Sequence, residues 1–446
     1  MDEATMTKDA GRWSGGRSRG GRSRSAISRR RASITAACVS ALLAGCGTAA
    51  TAGGGAAAAR PVTSAVTATP ATPTVTVTVT PATPVAATPV TTGQAVNADE
   101  RLDLIDLAGP GLGLVALGTG WQSTGHARLV ASSDFGRSLT AIGPRTAAGT
   151  VTDDVFFLGR QDGWYAVYNL NTAAETVYRT TDGGRSWSAS AAPGHVLADM
   201  GTRDVLQFLT PARGWLTDTQ DTGPGETLYA TTDGGKRWRL VARTAFGTHG
   251  PGLPTLGQVR FEPGGTVGWL GGGVCSTALY RTVDGGREWQ RSGIPAPSGS
   301  ASGQPTAFGQ TLLEPVTLGN GTFVLYRSAD GGIRWSRVSA LPRAVTGAAG
   351  CYGSTVSVSF TTAQDGWAAA AHDGRTVTYR TTDGGRHWEL GPRTLPGQSG
   401  TQISPVIQAT DATHAWLLTP GDQLYSTVNG GAAWRRIDPA AIATGS

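Results

Sequence analysis

From about residue 100 onward, apolar residues come in short runs broken by Gly, Asn, Asp and Pro, and no stretch keeps the spacing of an amphipathic helix. The pattern predicts strands and tight turns. The stretch 155–191 shows the unit: strands over Val155 to Leu158, Trp164 to Asn169, Thr176 to Thr180 and Trp187 to Ala191, with turn residues between them. An apolar residue followed by a turn and then Gly-Trp recurs upstream of the last pair. Phe157 and Trp164, Phe208 and Trp215, Phe261 and Trp269, and Phe360 and Trp367 show it, with Ala409 and Trp416 as a weaker copy. Leu107 and Leu114 hold these places at the start, and Phe308 is followed by Thr311 to Leu318 without the tryptophan.

The turn between the third and fourth predicted strand is the most regular feature. Tyr379-Arg380-Thr381-Thr382-Asp383-Gly384-Gly385-Arg386-His387-Trp388 has close copies at Tyr178 to Trp187, Tyr229 to Trp238, Tyr280 to Trp289, Tyr326 to Trp335 and Tyr425 to Trp434. A worn copy, Ser132 to Leu139, comes first and puts leucine in the tryptophan place. The aligned positions Asp134, Asp182, Asp233, Asp284, Asp330, Asp383 and Asn429 are 48, 51, 51, 46, 53 and 46 residues apart. A near-constant period of this size signals one repeat architecture and not a string of domains. In Ser/Thr-x-Asp-x-Gly-x-x-Trp the carboxylate accepts bonds from backbone N–H groups of its own turn, the glycines supply positive φ, and the tryptophan packs beneath the turn. The aspartates are therefore read as holders of turns. Four strands per unit and seven units predict an all-β, seven-bladed β-propeller of four-stranded blades over residues 99–440.

This motif resembles the Asp box, or bacterial neuraminidase repeat, of β-propellers. With the double glycine and the preceding Tyr-Arg-Thr, the chain resembles the Asp-box propellers related to the photosystem II assembly factor family, over roughly 100–440. That resemblance implies a ring that binds a protein being assembled or stabilised at a membrane. Sialidases share the box, but the arginine-isoleucine-proline type motif of their active site is not found in Leu102 to Thr124, and Ile294-Pro295 follows glycine.

The remaining chain changes where such a ring would work. An arginine-rich start leads into the apolar run Ala32 to Leu43, too short to span a bilayer, and then Leu43-Ala44-Gly45-Cys46. This order resembles a bacterial lipoprotein signal over 1–46, which implies a lipid on Cys46 and anchoring at the outer face of the cytoplasmic membrane. Residues 47–98 are almost wholly Ala, Thr, Val, Pro and Gly, a composition expected of a disordered tether, although Thr76-Val77-Thr78-Val79-Thr80 alternates as a strand would.

Charge then removes one partner class. The net charge of +6 arises from residues 1–46, which hold nine of the 37 basic residues and three of the 31 acidic ones, leaving 28 of each in the rest. A neutral mature chain gives no electrostatic case for nucleic acid. Beyond Cys38 and Cys46, only Cys275 and Cys351 remain, and an exported pair stands open as a disulfide or as two free thiols. No metal or cofactor motif appears among the cysteines and six histidines, and no Ser-His-Asp set is evident. Arg179, Arg281, Arg327 and Arg380 recur with the turn and are read as bridges between blades.

One constellation stands out as candidate chemistry. Asp103, Asp153 and Asp204 lie four residues before the inner-strand apolar position in the first three units, where later units carry Gly257, Gln304, Val356 and Pro405. On adjacent inner strands they would gather at one side of the channel mouth, a candidate cation or basic-partner site, against the plainer reading of three solvated aspartates. The loops between units vary in length and sequence, where a binding site on a rigid ring is expected. The sequence thus favours a non-catalytic scaffold for a protein partner. The alternative is an extracellular carbohydrate-active protein, either a cell-surface polysaccharide binder or a divergent glycosidase.

Overall fold

The computed structural model describes residues 76–77, 81–85, 100–109, 112–119, 126–193, 205–218, 227–243, 258–271, 277–302, 305–341, 356–372, 374–397, 405–421 and 423–437, all within the unit Ala71–Ser446. The described residues are strands and turns, and the chain is an all-β propeller with four-stranded blades. The body of each sheet is an antiparallel meander, and in the fifth sheet two short strands, Ala301–Ser302 and Thr306–Phe308, both pair with Thr311–Thr317. In chain order the sheets span 100–141, 150–191, 205–243, 258–293, 301–340, 356–396 and 406–437. Where seven blades were expected, six are described through to their side-chain packing. The sheet at 100–141 is described in its two inner strands, Glu100–Gly109 and Leu112–Thr119, by backbone pairing.

The first strands of neighbouring sheets lie beside one another where the sheets at 100–141, 150–191, 205–243 and 258–293 follow in turn, and again from 356–396 to 406–437 and on to 100–141. Blades are joined face to face by apolar residues, and the Gly-Trp pairs explain how. Gly163, Gly214, Gly268 and Gly366 sit directly opposite Phe157, Phe208, Phe261 and Phe360 on the inner strand. A Cβ at any of these glycines would run into that phenylalanine ring, so glycine lets the ring lie flat across the backbone. The tryptophan that follows reaches the next blade. Trp164 stacks on Phe208 at 3.6 Å between centroids, and Trp215 stacks on Phe261 at 4.0 Å. Within each blade the same phenylalanine meets the turn tryptophan: Phe208 with Trp238 and Phe360 with Trp388, edge to face. Trp164, Trp215, Trp238, Trp269, Trp367 and Trp416 are fully buried, so each contributes a large apolar area to the wall between blades.

The last sheet is built from its own four strands and meets the first through side chains. Trp416, Leu418, Leu424 and Ile437 form one cluster with Val130 and Leu139. Leu139, the residue in the tryptophan place of the worn turn, is buried there against a neighbour that already supplies an indole. Phe135 stands where the other turns have the first glycine, at φ 57°. It stacks on His414 at 4.4 Å, and its carbonyl accepts bonds from Ser426 Oγ at 2.8 Å and Arg435 Nη2 at 2.6 Å. Contacts to the last sheet hold Phe135 in a conformation that a non-glycine residue rarely adopts.

Two strands come from the stretch expected as a tether. Thr76–Val77 pairs antiparallel with Trp238 and Arg239, and Pro81–Val85 pairs antiparallel with Trp187–Ser190, each at the outer edge of a blade. Cys46, expected to carry a lipid, lies outside the described residues, as do Cys275, Cys351 and Asp204.

Candidate functional site

The recurring turns contain most of the residues singled out in the sequence. The pivot of each is the hydroxyl two residues before the aspartate. Thr180 Oγ1 donates to Asp182 Oδ1 at 2.8 Å and accepts from Gly184 N at 2.8 Å, while Asp182 Oδ1 accepts from Ser186 N at 2.9 Å. Thr231 with Asp233, Thr282 with Asp284, Ser328 with Asp330 and Thr381 with Asp383 repeat this arrangement. Ser132 with Asp134 builds it in the worn copy, and Thr427 builds it with the amide oxygen of Asn429. These hydroxyl residues are buried, whereas the carboxylates sit at the surface. Glycines at positive φ complete the reversal, as at Gly183 (74°) and Gly184 (89°).

The hydrogen bonds also set the charge state. Desolvation pulls the Asp134 carboxyl up, but bonds from the Ser138 N–H and hydroxyl and from Ser132 outweigh it and hold it at about 2. At Asp383 the same opposition, with the His387 N–H and ring nitrogen as the main donors, also leaves it at about 2. An anion at the turn is thus fixed by donors within four residues of it.

The turn arginines span blades. Arg179 lies over the Trp164 ring at 5.5 Å and Arg380 over Trp367 at 5.1 Å, and each guanidinium reaches the first glycine of the next blade's turn, Gly234 and Gly430. Arg213, which no repeat pattern marked, does similar work: it covers Trp215 and donates to the carbonyls of Gly264 and Gly265 at 2.9 and 2.6 Å.

Two of the three aspartates of the candidate cation site share a backbone feature. The pairing of Glu100–Gly109 slips between Leu102 and Leu104, and that of Thr150–Leu158 slips between Thr152 and Asp154, so Asp103 and Asp153 each stand at a β-bulge. The side chains of Asp103 and Asp204 lie outside the described residues. Asp153 is buried beside Tyr168 and Glu175; desolvation raises the Tyr168 hydroxyl, and the two carboxylates raise it further. Among the described residues no group of three His, Cys, Asp or Glu side chains could hold a metal ion. One more carboxyl, Glu314, is pushed well above its ordinary value by complete burial, opposed by a hydrogen bond from Ser302. It lies in a row with Leu312 and Val316, which pack against Trp269 of the preceding blade, and so is enclosed in the frame.

Along the inner strands, polar side chains stitch one blade to the next. Asp154 Oδ2 accepts from Leu206 N at 2.7 Å. The Gln207 amide takes both groups of Phe261, accepting from N at 2.8 Å and donating to O at 3.3 Å. Ser357 and Ser359 accept from the N–H groups of Ile407 and Ala409, each at 3.0 Å. An inner strand at a sheet edge presents N–H groups with no ladder partner, and these side chains satisfy them. The sequence signal was weak, because the residue type differs from blade to blade.

No protein-family model matches the sequence, and no curated protein matches it. Solved structures do match it. The lectin BP39L from Burkholderia pseudomallei matches with a TM-score of 0.53 at 13% identity, covering 77% of this chain and 100% of the lectin. YCF48 from Cyanidioschyzon merolae matches at 0.49 and 15% identity, over 75% of this chain and 97% of that one. A structure of YCF48 bound to D1 peptide matches at 0.44 and 16% identity, over 66% and 83%.

Proposed function

We propose that this chain is an exported, lipid-anchored propeller of the Asp-box type, with a ring of seven blades, that holds a protein partner and performs no catalysis. One observation carries the reading. In the six turns of known side-chain geometry that bear aspartate, from Asp134 to Asp383, and in the Asn429 turn, the acidic or amide group is committed to its own turn. The repeated chemistry therefore serves the frame, and specificity falls to what differs between repeats, the joining segments such as 194–204 and 244–257. The seventh blade is supported by the seam of Val130, Leu139 and Phe135 against the last sheet. Export and anchoring through Cys46 are supported by the order of basic, apolar and small residues before that cysteine.

The test uses the full chain on intact cells, with photo-crosslinking amino acids placed in 194–204 or 244–257 and, as controls, beside Asp182 and Asp233. The expected result is a discrete protein adduct from the joining segments alone. Purified full chain is incubated in parallel with wall polysaccharides. Reducing sugar released by the wild type and lost on replacement of one carboxylate would overturn the reading in favour of a glycosidase.

A further inference from the structure

A sheet edge with open N–H and C=O groups invites another strand, and proteins defend such edges with charge, proline or short length. The outermost strands of this ring can be compared on that basis. The third sheet ends in Trp238–Arg243 with Arg239 and Arg243, and the fourth in Gln290–Gly293 with Arg291. The fifth ends in Ser336–Ala340 with Arg337, and the seventh in Arg435–Ile437 with two arginines. The sixth, Glu389–Pro396, has Glu389, Arg393 and two prolines, and the first is only two residues long, Thr140–Ala141. The second sheet alone among these ends in an undefended strand of some length, Trp187-Ser188-Ala189-Ser190-Ala191, with no charge and no proline.

That edge is the one covered by Pro81–Val85. The register places Val85 opposite Trp187, Pro84 opposite Ser188 and Pro81 opposite Ser190, with a slip between Ser188 and Ser190. The added strand brings the missing defence with it. Proline lacks an N–H, so with Pro81 and Pro84 in the outermost position the sheet cannot readily grow further. The small side chains of Ser188 to Ala191 offer little steric hindrance to an incoming backbone. Two residues of the same stretch, Thr76 and Val77, take the equivalent place beside Trp238 in the next blade. The same composition recurs nearby: Ala82-Thr83-Pro84-Val85 is followed by Ala87-Thr88-Pro89-Val90.

We propose that the edge along Trp187–Ala191 is a strand-acceptor site for an extended, proline-containing peptide, and that the chain's own Pro81–Val85 is its resident occupant. Recognition comes from main-chain hydrogen bonds to the edge, and the prolines of the guest end the sheet. The site is distinct from the joining segments assigned to the partner above, and it stands or falls without that assignment.

The experiment is hydrogen exchange on the full chain and on a full-length variant in which residues 76–85 are replaced by Gly and Ser at equal length. Amides in 187–191 are expected to exchange at least about tenfold faster in the variant, with 163–168 unchanged as the folding control. A synthetic peptide of residues 76–85 added in trans should restore protection, and a Gly/Ser peptide of the same length should not. Equal exchange in wild type and variant, or no protection by the added peptide, overturns the proposal. Protection of the variant that grows with protein concentration also overturns it and assigns the edge to a second copy. A double variant, Pro84→Cys with Ser188→Cys, gives an independent reading: oxidation should link the two peptides in mass spectra, and absence of that link counts against the register.

Discussion

The turn rim and the inner strands of this propeller solve different problems. At the rim one solution is copied around the ring, a buried hydroxyl, an acceptor oxygen and two glycines, as in Thr180-Thr181-Asp182-Gly183-Gly184. Along the inner strands three junctions between blades are bridged in different ways, by Asp154, by Gln207, and by Ser357 with Ser359. A turn is closed within a few residues, so its chemistry is the same wherever the chain reverses. A bridge between blades depends on how two strands happen to face each other, so several donors and acceptors serve. Repetition here marks local geometry, and variation marks contact between elements.

The largest test of that contrast strikes the wall that both regions share. Trp164→Ala should remove a fully buried ring stacked on Phe208 and cost about 3–5 kcal/mol in denaturant unfolding. Next, the rim pivot should matter more than its carboxylate. Thr231→Val leaves the Gly235 N–H without its acceptor and should cost about 1–3 kcal/mol. Asp233→Asn should cost less than the Thr231 change, because Asn429 makes the same bonds in the last blade. Unfolding midpoints that rank the two changes in the opposite order would shift the pivot to the acid.

The worn turn offers a finer comparison. Phe135→Gly relieves a left-handed backbone while losing the stack on His414, and Phe135→Ala loses the stack and keeps the strain. The glycine variant should therefore be the more stable of the two by about 1 kcal/mol. Thermal melts of the pair decide it.

The smallest expected effects depend on pH, and their signs differ. Asp134 and Asp383 are held at about 2 in the fold against an ordinary 3.8, so their contribution is complete above 3.8 and is lost as pH falls toward 2. Glu314 is raised in the fold, so its contribution is complete below its unfolded value and is lost as pH rises from there. Glu314→Gln should flatten the decline in melting temperature on the alkaline side and leave the acid side unchanged. A wild-type melting temperature that does not fall with rising pH would remove Glu314 from the account.

Much of this was legible in the residues. The four-strand unit over 155–191 appears in the structure as Thr150–Leu158, Asp162–Asn169, Ala174–Thr180 and Trp187–Ala191. The bridging arginines were also readable, since Arg179 and Arg380 recur at a fixed place in the turn. Arg213 was not, because it comes from a turn whose sequence does not repeat. The partners of Gly-Trp could not be read either. Phe157 and Trp164 were paired by sequence distance, yet Trp164 stacks on Phe208 of the next blade and Phe157 meets Trp187 of its own. Strand formation by Pro81–Val85 ran against its prolines, which are tolerated because the strand is outermost and its far side needs no N–H.

By itself, the sequence determined whatever is settled within one turn or one strand: the alternation that makes strands, the hydroxyl and acid that close each reversal, and the glycines that allow it. These interactions span four residues or fewer, so the local pattern specifies them completely. Tertiary structure alone decided which ring meets which across a blade wall and how the first sheet meets the last. It also decided which edge receives the strand from the Ala/Thr/Pro stretch. Those contacts join residues some 45 to 300 positions apart, from Ile142 and Trp187 to Phe135 and Arg435. Their partners exist only once the blades have been packed side by side.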